Sequence, residues 1–363
     1  MQHSLYITIW KKNKEATHMR IAIVGAGSLG TIVGAYLADG GMDVELIDAY
    51  QEHVDALNQT GAKVTGTTEF QANVKAITPE QKSGQYNLVL LLTKQLYNES
   101  VLKELLPYLH EDSVVCSLQN GIPEDNVASI VGAERVIAGS VEFGATFMEP
   151  GVSSLTTAYP QFKQYAFQIG ELNGETTERI QRVKEVLDLV GGTHISDNLV
   201  GTKWSKLLIN NAFSGLSAAL NGTYGDILDH EAGIRSAVHI IDETIKVGHA
   251  NGVSFVTMNG FDMASLELQS EKEIPARIQT LRQVMEPSRL LKASMLQDLE
   301  KQRKTEIHYI NGVVSSKAKG TGIATPYNDM VVKLVEAAEE ARNVPEFATN
   351  IQTFEHLLNV SQF

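Results

Sequence analysis

Cysteine is nearly absent from this 363-residue chain. Cys116 is the only one, so neither an intrachain disulfide nor a cysteine metal cluster can form, and a reducing cytoplasm fits that usage. Long apolar runs are missing too. The run Leu88-Val-Leu-Leu-Leu92 has the length of a strand, far short of the roughly 18 residues of a membrane-crossing helix. There is no excess of positive charge. A formal net charge of −13 argues against a nucleic-acid groove and against binding to an anionic membrane surface, and leaves small molecules as the expected partners. Metal-ligand spacing is lacking: His194, His230, His239, His249 and His308 are scattered, with no pair one helical turn apart. Repeats, low-complexity tracts and Pro/Gly linkers are likewise missing, so the two domains that this length predicts should join directly and enclose a cleft. Residues 1–18 place Lys11-Lys12-Asn13-Lys14 after a brief apolar start, the reverse of a secretory signal, and read as a tail before a functional start at Met19.

What the chain has is glycine in an informative place. Met19-Arg-Ile-Ala-Ile-Val-Gly-Ala-Gly-Ser-Leu-Gly30 runs an apolar β-like segment straight into Gly25-x-Gly27-x-x-Gly30. In a dinucleotide-binding turn, Gly25 permits the tight bend, Gly27 admits a pyrophosphate to the backbone, and Gly30 lets the next helix pack on the strand. Ala26, Ser28 and Leu29 complete the turn, and the helix N-terminus faces the phosphates. The context fits: a helix-like Thr31–Asp39, a Gly-Gly break, then the strand-like Val44-Glu-Leu-Ile-Asp48. Asp48 stands where the ribose-binding acid belongs. A carboxylate there accepts from the ribose hydroxyls of NAD but repels a 2′-phosphate, by about 3 kcal/mol per charge pair at ~5 Å and an effective dielectric near 20. No Arg or Lys occurs at residues 49–53 to hold that phosphate, which favours NADH. Capping of a turn is the other use Asp48 could have.

Strand-like runs at Arg20–Val24, Val44–Asp48, Asn87–Thr93, Ser113–Leu118 and Arg135–Ser140 alternate with helix-like connections, the pattern of a doubly wound parallel sheet. Residues 142–195, with Gly151-Val-Ser-Ser-Leu-Thr-Thr and Tyr165-Ala-Phe-Gln-Ile-Gly, read as an extension of that sheet carrying one helix, Thr176–Leu189. The expected division is a Rossmann dinucleotide-binding domain over residues 19–196 and a mostly helical, substrate-binding domain over 197–363. Ser196-Asp197 would cap the first helix of the second domain. Helical periods follow at Val200–Ala219, Ala232–Ala250, Arg289–Lys304 and Glu306–Gly320.

The first of these contains Trp204-Ser-Lys206-Leu-Leu-Ile-Asn210-Asn211-Ala-Phe-Ser214. Residues 206, 210 and 214 share a helix face, aligning a cation, an amide and a hydroxyl that suit a carbonyl or carboxylate needing a proton. A solvated lysine would also explain Lys206, and Lys203 is a rival without an amide four residues on. The run from Ala293 to Gly312, taken alone, is an amphipathic helix in which Glu306 needs no special role.

Taken together, Gly25-Ala-Gly-Ser-Leu-Gly30, Thr93-Lys94, Gln119-Asn120-Gly121, Lys206-x3-Asn210, Ser294-Met-Leu-Gln-Asp298 and Thr305-Glu306-Ile-x-Tyr-Ile-Asn311-Gly312 resemble, in order and spacing, the ketopantoate reductase family, from Met19 to about residue 345. The resemblance implies an α/β Rossmann domain, a helical domain, and reduction of a small 2-oxo acid by NAD(P)H. It implies that Lys206 is the general acid, that Asn210 and Ser294 bind substrate, with Ser214 added from the shared helix face, that Glu306 accepts from a substrate hydroxyl or orients Lys206, and that Asn120 and Lys94 line the nicotinamide end. Asn120-Gly121 equally fits a plain turn, and Lys94 a strand end. Hydride arrival puts negative charge on the carbonyl oxygen, so a cationic donor acts mainly in the transition state. An ordinary lysine titrates near 10.4, so this role calls for burial.

Two departures qualify a literal transfer. Family habit favours NADPH, with a basic residue after the second strand, whereas this chain has Asp48. The segment between Gly252 and Leu291 is also longer than in compact members, and it could reshape the substrate side. The leading expectation is a cytoplasmic 2-dehydropantoate 2-reductase on the route to pantothenate and coenzyme A. The runner-up is an NAD-dependent D-2-hydroxyacid dehydrogenase on the same scaffold, and a third reading is a non-catalytic NADH sensor. Apolar faces in the helical domain allow a homodimer or an internal core.

Overall fold

The computed structural model describes residues 19–258 and 260–360, so the expected tail at residues 1–18 lies outside the described residues. The chain divides into two compact units, Met1–Leu199 and Val200–Phe363.

The first unit is built on an eight-stranded sheet in the order β12-β11-β8-β7-β6-β1-β2-β5. Its strands are β1 (Arg20–Val24), β2 (Asp43–Ile47), β5 (Lys75–Ile77), β6 (Tyr86–Leu91), β7 (Leu109–Ser117), β8 (Val136–Val141), β11 (Phe167–Glu171) and β12 (Thr193–Ile195). Every neighbouring pair is parallel except β11 against β8. In β1, Ile21 and Ile23 enter the core on one face of the sheet while Ala22 and Val24 enter the core on the other. Burial on both faces is why the strand is an unbroken apolar run with no alternation. The chain winds from β1 through β2 to one edge, then crosses back to β6 on the other side of β1. That reversal creates the crevice at the carboxyl ends where such sheets bind ligands.

Helix α1 (Ser28–Asp39) follows β1, and helix α2 (Gln51–Thr60) follows β2. Eight consecutive residues of α1, Gly30 to Leu37, are buried. The reason is a second sheet, four-stranded, in the order β4-β3-β10-β9, with β3 Ala62–Gly66, β4 Phe70–Ala72, β9 Ala145–Glu149 and β10 Val152–Leu155. It covers the side of α1 that the main sheet leaves open. The run from Gly151 therefore does not extend the main sheet, as its pattern led us to expect; only β11 and β12 do. Parallel pairing of β10 with β3 claims it for the second sheet. Helix α3 (Glu178–Asp188) starts where Thr177 Oγ1 accepts from Ile180 N at 3.3 Å.

Glu45 ties the strands together. It is 2% exposed and takes hydrogen bonds or ion pairs from Arg20 (3.0 Å), Lys75 (2.5 Å) and the Tyr86 hydroxyl, linking β2 to β1, β5 and β6. Burial pushes its carboxyl up, but the Lys75 and Tyr86 hydrogen bonds and the Lys75 and Arg20 charges outweigh that and hold it below the usual range.

The second unit is helical. Helix α4 (Leu199–Ile209) runs into a π turn, Asn210–Ser214, and continues as α5 (Gly215–Leu220), so the expected single helix Val200–Ala219 is interrupted. Ser196 Oγ accepts from Asn198 N at 3.1 Å just ahead of it. Then come α6 (Glu231–Ala250), α7 (Ser294–Glu300), α8 (Ile307–Ala318), α9 (Pro326–Ala341) and α10 (Phe347–Val360). The expected helix Arg289–Lys304 shrinks to α7: Arg289 and Leu290 form a turn and residues 291–293 are irregular ahead of it, and Gln302 adopts a left-handed φ of 53° after it. The long segment between Gly252 and Leu291 forms a two-stranded hairpin, Thr257–Met258 with Phe261–Asp262, and a helix, Ile274–Met285, packed on α6. No helix among the described residues is long and apolar enough to cross a membrane.

Replacing Glu45 by Ala leaves the Tyr86 hydroxyl and Arg20 without their acceptor and should cost about 3 kcal/mol at pH 7 by denaturant titration. The folded carboxyl titrates below its unfolded value. The wild-type advantage is therefore present above about 4.5 and is lost as pH falls through the depressed folded value, so the two proteins should converge in acid.

Candidate active site

The turn after β1 is made of backbone. Gly25 has φ +97° and donates its N–H to Ile47 O at 2.9 Å; a Cβ there would lie 2.7 Å from Thr93 N. A Cβ on Gly30 would come within 2.1 Å of Gly25 O, so α1 can start this close to β1 only with glycine. Around Gly27 the reverse holds: an added Cβ meets nothing within 4 Å. Ala26 is buried, while Ser28 and Leu29 are partly exposed. Gly27 is the N-cap of α1, no side chain caps it, and the first turn carries no acid. The helix N-terminus therefore presents N–H groups beside open space, and these residues fit a pyrophosphate.

The neighbouring strands end beside this turn. Asp48 follows β2 and is partly exposed; its N–H donates to Ile77 O at 3.1 Å, and its Oδ1 accepts from Tyr50 N at 3.0 Å. Turn capping is thus one thing Asp48 does, through one oxygen. The Tyr50 hydroxyl donates to Glu52 Oε2 at 2.6 Å, holding a second carboxylate in the first turn of α2. After β6, Lys94 is partly buried and precedes a 3-10 turn, Gln95–Tyr97. After β7, Gln119 Nε2 donates to Thr93 O at 2.7 Å and Asn98 Oδ1 at 2.6 Å, while Gln95 Nε2 donates to Asn120 O at 2.6 Å. Asn120 is exposed and Gly121 turns the chain at φ +73°. Sequence reasoning missed Gln95 and Asn98, the residues that brace the Asn120 and Gln119 backbone and side chain.

In the second unit, between Gly201 and Leu220, only Lys206, Ile209, Asn210 and Ser214 are more than marginally exposed. Lys203, the rival lysine, is 4% exposed. The stripe of cation, amide and hydroxyl is therefore real, and it survives the π turn. A π turn inside an α-helix is a local cost that often marks a functional site. Here Asn311 of α8 secures it: its Nδ2 donates to Asn211 O at 3.1 Å and to Asn328 Oδ1 at 3.0 Å. Gly215 makes room, since a Cβ there would meet Asn311 Oδ1 at 2.5 Å. Asn328 in turn donates, through N and Nδ2, to Glu243 Oε2 of α6 at 3.0 and 2.8 Å, and Tyr327 N donates to Oε1 at 2.8 Å. Burial pushes the Glu243 carboxyl up to about 8, against the pull of these donors. The Ser214 hydroxyl pairs with the Tyr224 hydroxyl at 2.7 Å. Glu306 is the N-cap of α8, and exposed Ser294 opens α7; both helices pack on the π turn. Lys206, Asn210, Ser214, Ser294 and Glu306 thus belong to elements gathered around one turn. Among the described residues, no group of three His, Cys, Asp or Glu could hold a metal ion.

Family models match both units in turn. Residues 21–173 match ketopantoate reductase PanE/ApbA, and residues 198–339 match the ketopantoate reductase PanE/ApbA C-terminal model. The chain belongs to the ketopantoate reductase family. A 2-dehydropantoate 2-reductase of Pyrococcus horikoshii is 32% identical over 88% of this chain and 98% of its own length. One from Streptococcus pyogenes is 27% identical over 90% and 100%. Among solved structures, D-mandelate dehydrogenase with NADH and anilino(oxo)acetate matches at a TM-score of 0.75 and 27% identity, covering 90% of this chain and all of that one. The PanE/ApbA family ketopantoate reductase of Ralstonia eutropha matches at 0.75 and 25%, covering 89% and 99%.

Gly30→Ala should lower stability by about 1–3 kcal/mol by forcing α1 from β1, and weaken nucleotide binding with it. Gly27→Ala, with open space around it, should leave the melting temperature near wild type while weakening NADH at least about tenfold; calorimetry with NADH titration separates the two. Glu243 titrates above its unfolded value, so its contribution is present below about 4.5 and is lost as pH rises through about 8. Glu243→Gln should flatten that part of the stability profile, measured by thermal melts from pH 5 to 9.

Proposed function

We propose that this ketopantoate reductase family member is a 2-dehydropantoate 2-reductase, converting 2-dehydropantoate to (R)-pantoate with a nicotinamide cofactor. One observation carries the reading: relatives bearing that activity align with both units and over nearly their whole length. The chain is an NAD(P)-dependent oxidoreductase acting on a small 2-oxo acid.

In this reading the bound cofactor supplies the hydride, and the turn Gly25–Gly30 holds its pyrophosphate. Lys206 holds the proton that neutralises the nascent alkoxide, with its ammonium stabilising negative charge as it develops. Asn210, Ser214 and Ser294 bind the substrate's polar groups, Glu306 accepts from a substrate hydroxyl or orients Lys206, and Lys94 and Asn120 line the nicotinamide end. We assign NADH as the preferred cofactor, because Asp48 and Glu52 set two carboxylates after β2 and residues 49–53 include no Arg or Lys. A 2′-phosphate beside them would meet repulsion from both.

A specific observation favours a second reading, NADH-dependent reduction of another 2-oxo acid to a D-2-hydroxy acid. A D-mandelate dehydrogenase solved with NADH matches the fold as well as a family reductase does.

Initial rates with 2-dehydropantoate, pyruvate and phenylglyoxylate, each with NADH and NADPH, decide the matter. We expect 2-dehydropantoate with NADH to be fastest, Lys206→Ala to lower kcat by about 10²–10⁴-fold, and Asp48→Arg to shift preference toward NADPH. A higher kcat/KM for phenylglyoxylate or pyruvate would replace the first reading by the second.

A further inference from the structure

His53 lies outside the motifs, is 1% exposed, and has both ring nitrogens engaged. Its Nδ1 accepts from Gly151 N at 2.9 Å. A nitrogen that accepts carries no proton, so the proton is on Nε2, which lies 2.7 Å from Ala26 O and 3.2 Å from Thr31 Oγ1. The Thr31 hydroxyl also donates to Ala26 O, at 2.7 Å. One carbonyl inside the glycine-rich turn thus receives two side-chain donors from beneath.

Ala26 C=O belongs to the same planar peptide as Gly27 N–H, and in a trans peptide the two point in opposite directions. Drawing the oxygen down onto buried His53 and Thr31 turns the Gly27 N–H away from them. Without those donors, the Ala26–Gly27 peptide, beside a residue with no side chain and nothing within 4 Å of its Cβ direction, has little to hold its orientation.

The imidazole is itself placed by three elements. It rises from α2, which follows the strand bearing Asp48. Tyr50 stacks near it at 6.5 Å between centroids, and Phe147 of β9 meets it edge-on at 5.0 Å. Gly151, in the turn between β9 and β10, reaches the needed position at φ +80° against Ala56 of α2, to which a Cβ would come within 3.3 Å. The second sheet therefore reaches the nucleotide turn through one ring.

We propose that His53, with Thr31, is a positioning residue that locks the Ala26–Gly27 peptide with its N–H presented to the cofactor's pyrophosphate. This rests on the assignment of the turn as the nucleotide site. The role is orientation of a backbone donor, so it concerns ligands that carry a pyrophosphate and spares those that lack one.

The test uses the full-length protein with His53→Leu, His53→Gln and Thr31→Val, titrated with NADH and competed with ADP and with adenosine. His53→Leu should weaken NADH and ADP about tenfold or more, the worth of a buried hydrogen bond lost at an anion-binding donor, with adenosine changed less than about twofold. His53→Gln keeps an amide N–H able to reach Ala26 O and should restore most of the loss. Thr31→Val, which removes one donor and preserves shape, should fall between and covers the case in which His53→Leu does not fold. At saturating NADH, kcat should stay near wild type while the KM for NADH rises. Unchanged NADH and ADP affinity in His53→Leu, or in Thr31→Val where the former is insoluble, overturns the proposal, as does an equal loss for adenosine. A wild-type protein that binds neither NADH nor NADPH overturns the nucleotide assignment itself.

Discussion

An added carbon at Gly30 would stand 2.1 Å from the Gly25 carbonyl oxygen, and the first unit depends on that near contact. With Gly30 against Gly25, α1 leaves β1 at once and lies flat on the sheet, where Gly34 brings it close to Leu46 of β2. A helix seated so deeply needs a second cover, which the β3–β10 sheet provides; eight buried residues in succession are the result. At the exposed N-terminus of that otherwise enclosed helix, the first N–H groups have no acceptor within the helix and no capping side chain, which is the feature our proposal assigns to the pyrophosphate.

Most of this was legible in the sequence because it is steric. Glycines at 25, 27 and 30 after an apolar run describe a bend, an approach and a contact; Gly25 bends at φ +97° and Gly30 makes the contact, while Gly27 stands beside open space. The five expected strands of the main sheet all form, β1 with its expected ends and the other four with ends shifted by a residue or more. The second sheet was not legible. Gly151-Val-Ser-Ser-Leu has the composition of any half-buried strand, and nothing local distinguishes pairing with β3 from pairing with β8. Partner choice is decided by the surface that α1 leaves uncovered, a tertiary fact.

The helical unit shows a different limit. Periodicity correctly put Lys206, Asn210 and Ser214 on one face, yet the π turn between Asn210 and Ser214 changes hydrogen-bond register without changing residue type, so no pattern announces it. What holds it comes from far along the chain: Asn311, a hundred residues on, donates to Asn211 O, and Asn328 connects it to Glu243. Asn311 stood in the motif that carried the family resemblance, but that motif could not say that this residue serves the backbone of another helix. Arg289–Lys304 failed as one helix for a plainer reason: an amphipathic period persists through the turn at Arg289 and Leu290 before α7 and the left-handed residue after it.

These two halves divide the chemistry in a way that explains the comparisons. The turn we propose for the nucleotide would work through backbone N–H groups and the absence of side chains, so it would tolerate wide change elsewhere provided the glycines and their packing persist. The stripe we propose for the substrate would work through side chains around one turn, where a single altered residue changes what can be bound. A D-mandelate dehydrogenase at 27% identity and a reductase of the family at 25% can therefore match this fold equally well. After β2, Tyr50 is bonded to Asp48 through its N–H and to Glu52 through its hydroxyl, and so holds two carboxylates in place. On the proposed reading, substrate choice falls to the few partly exposed positions on an otherwise buried helix, which is why the fold is more readily inferred from this chain than the acid it reduces.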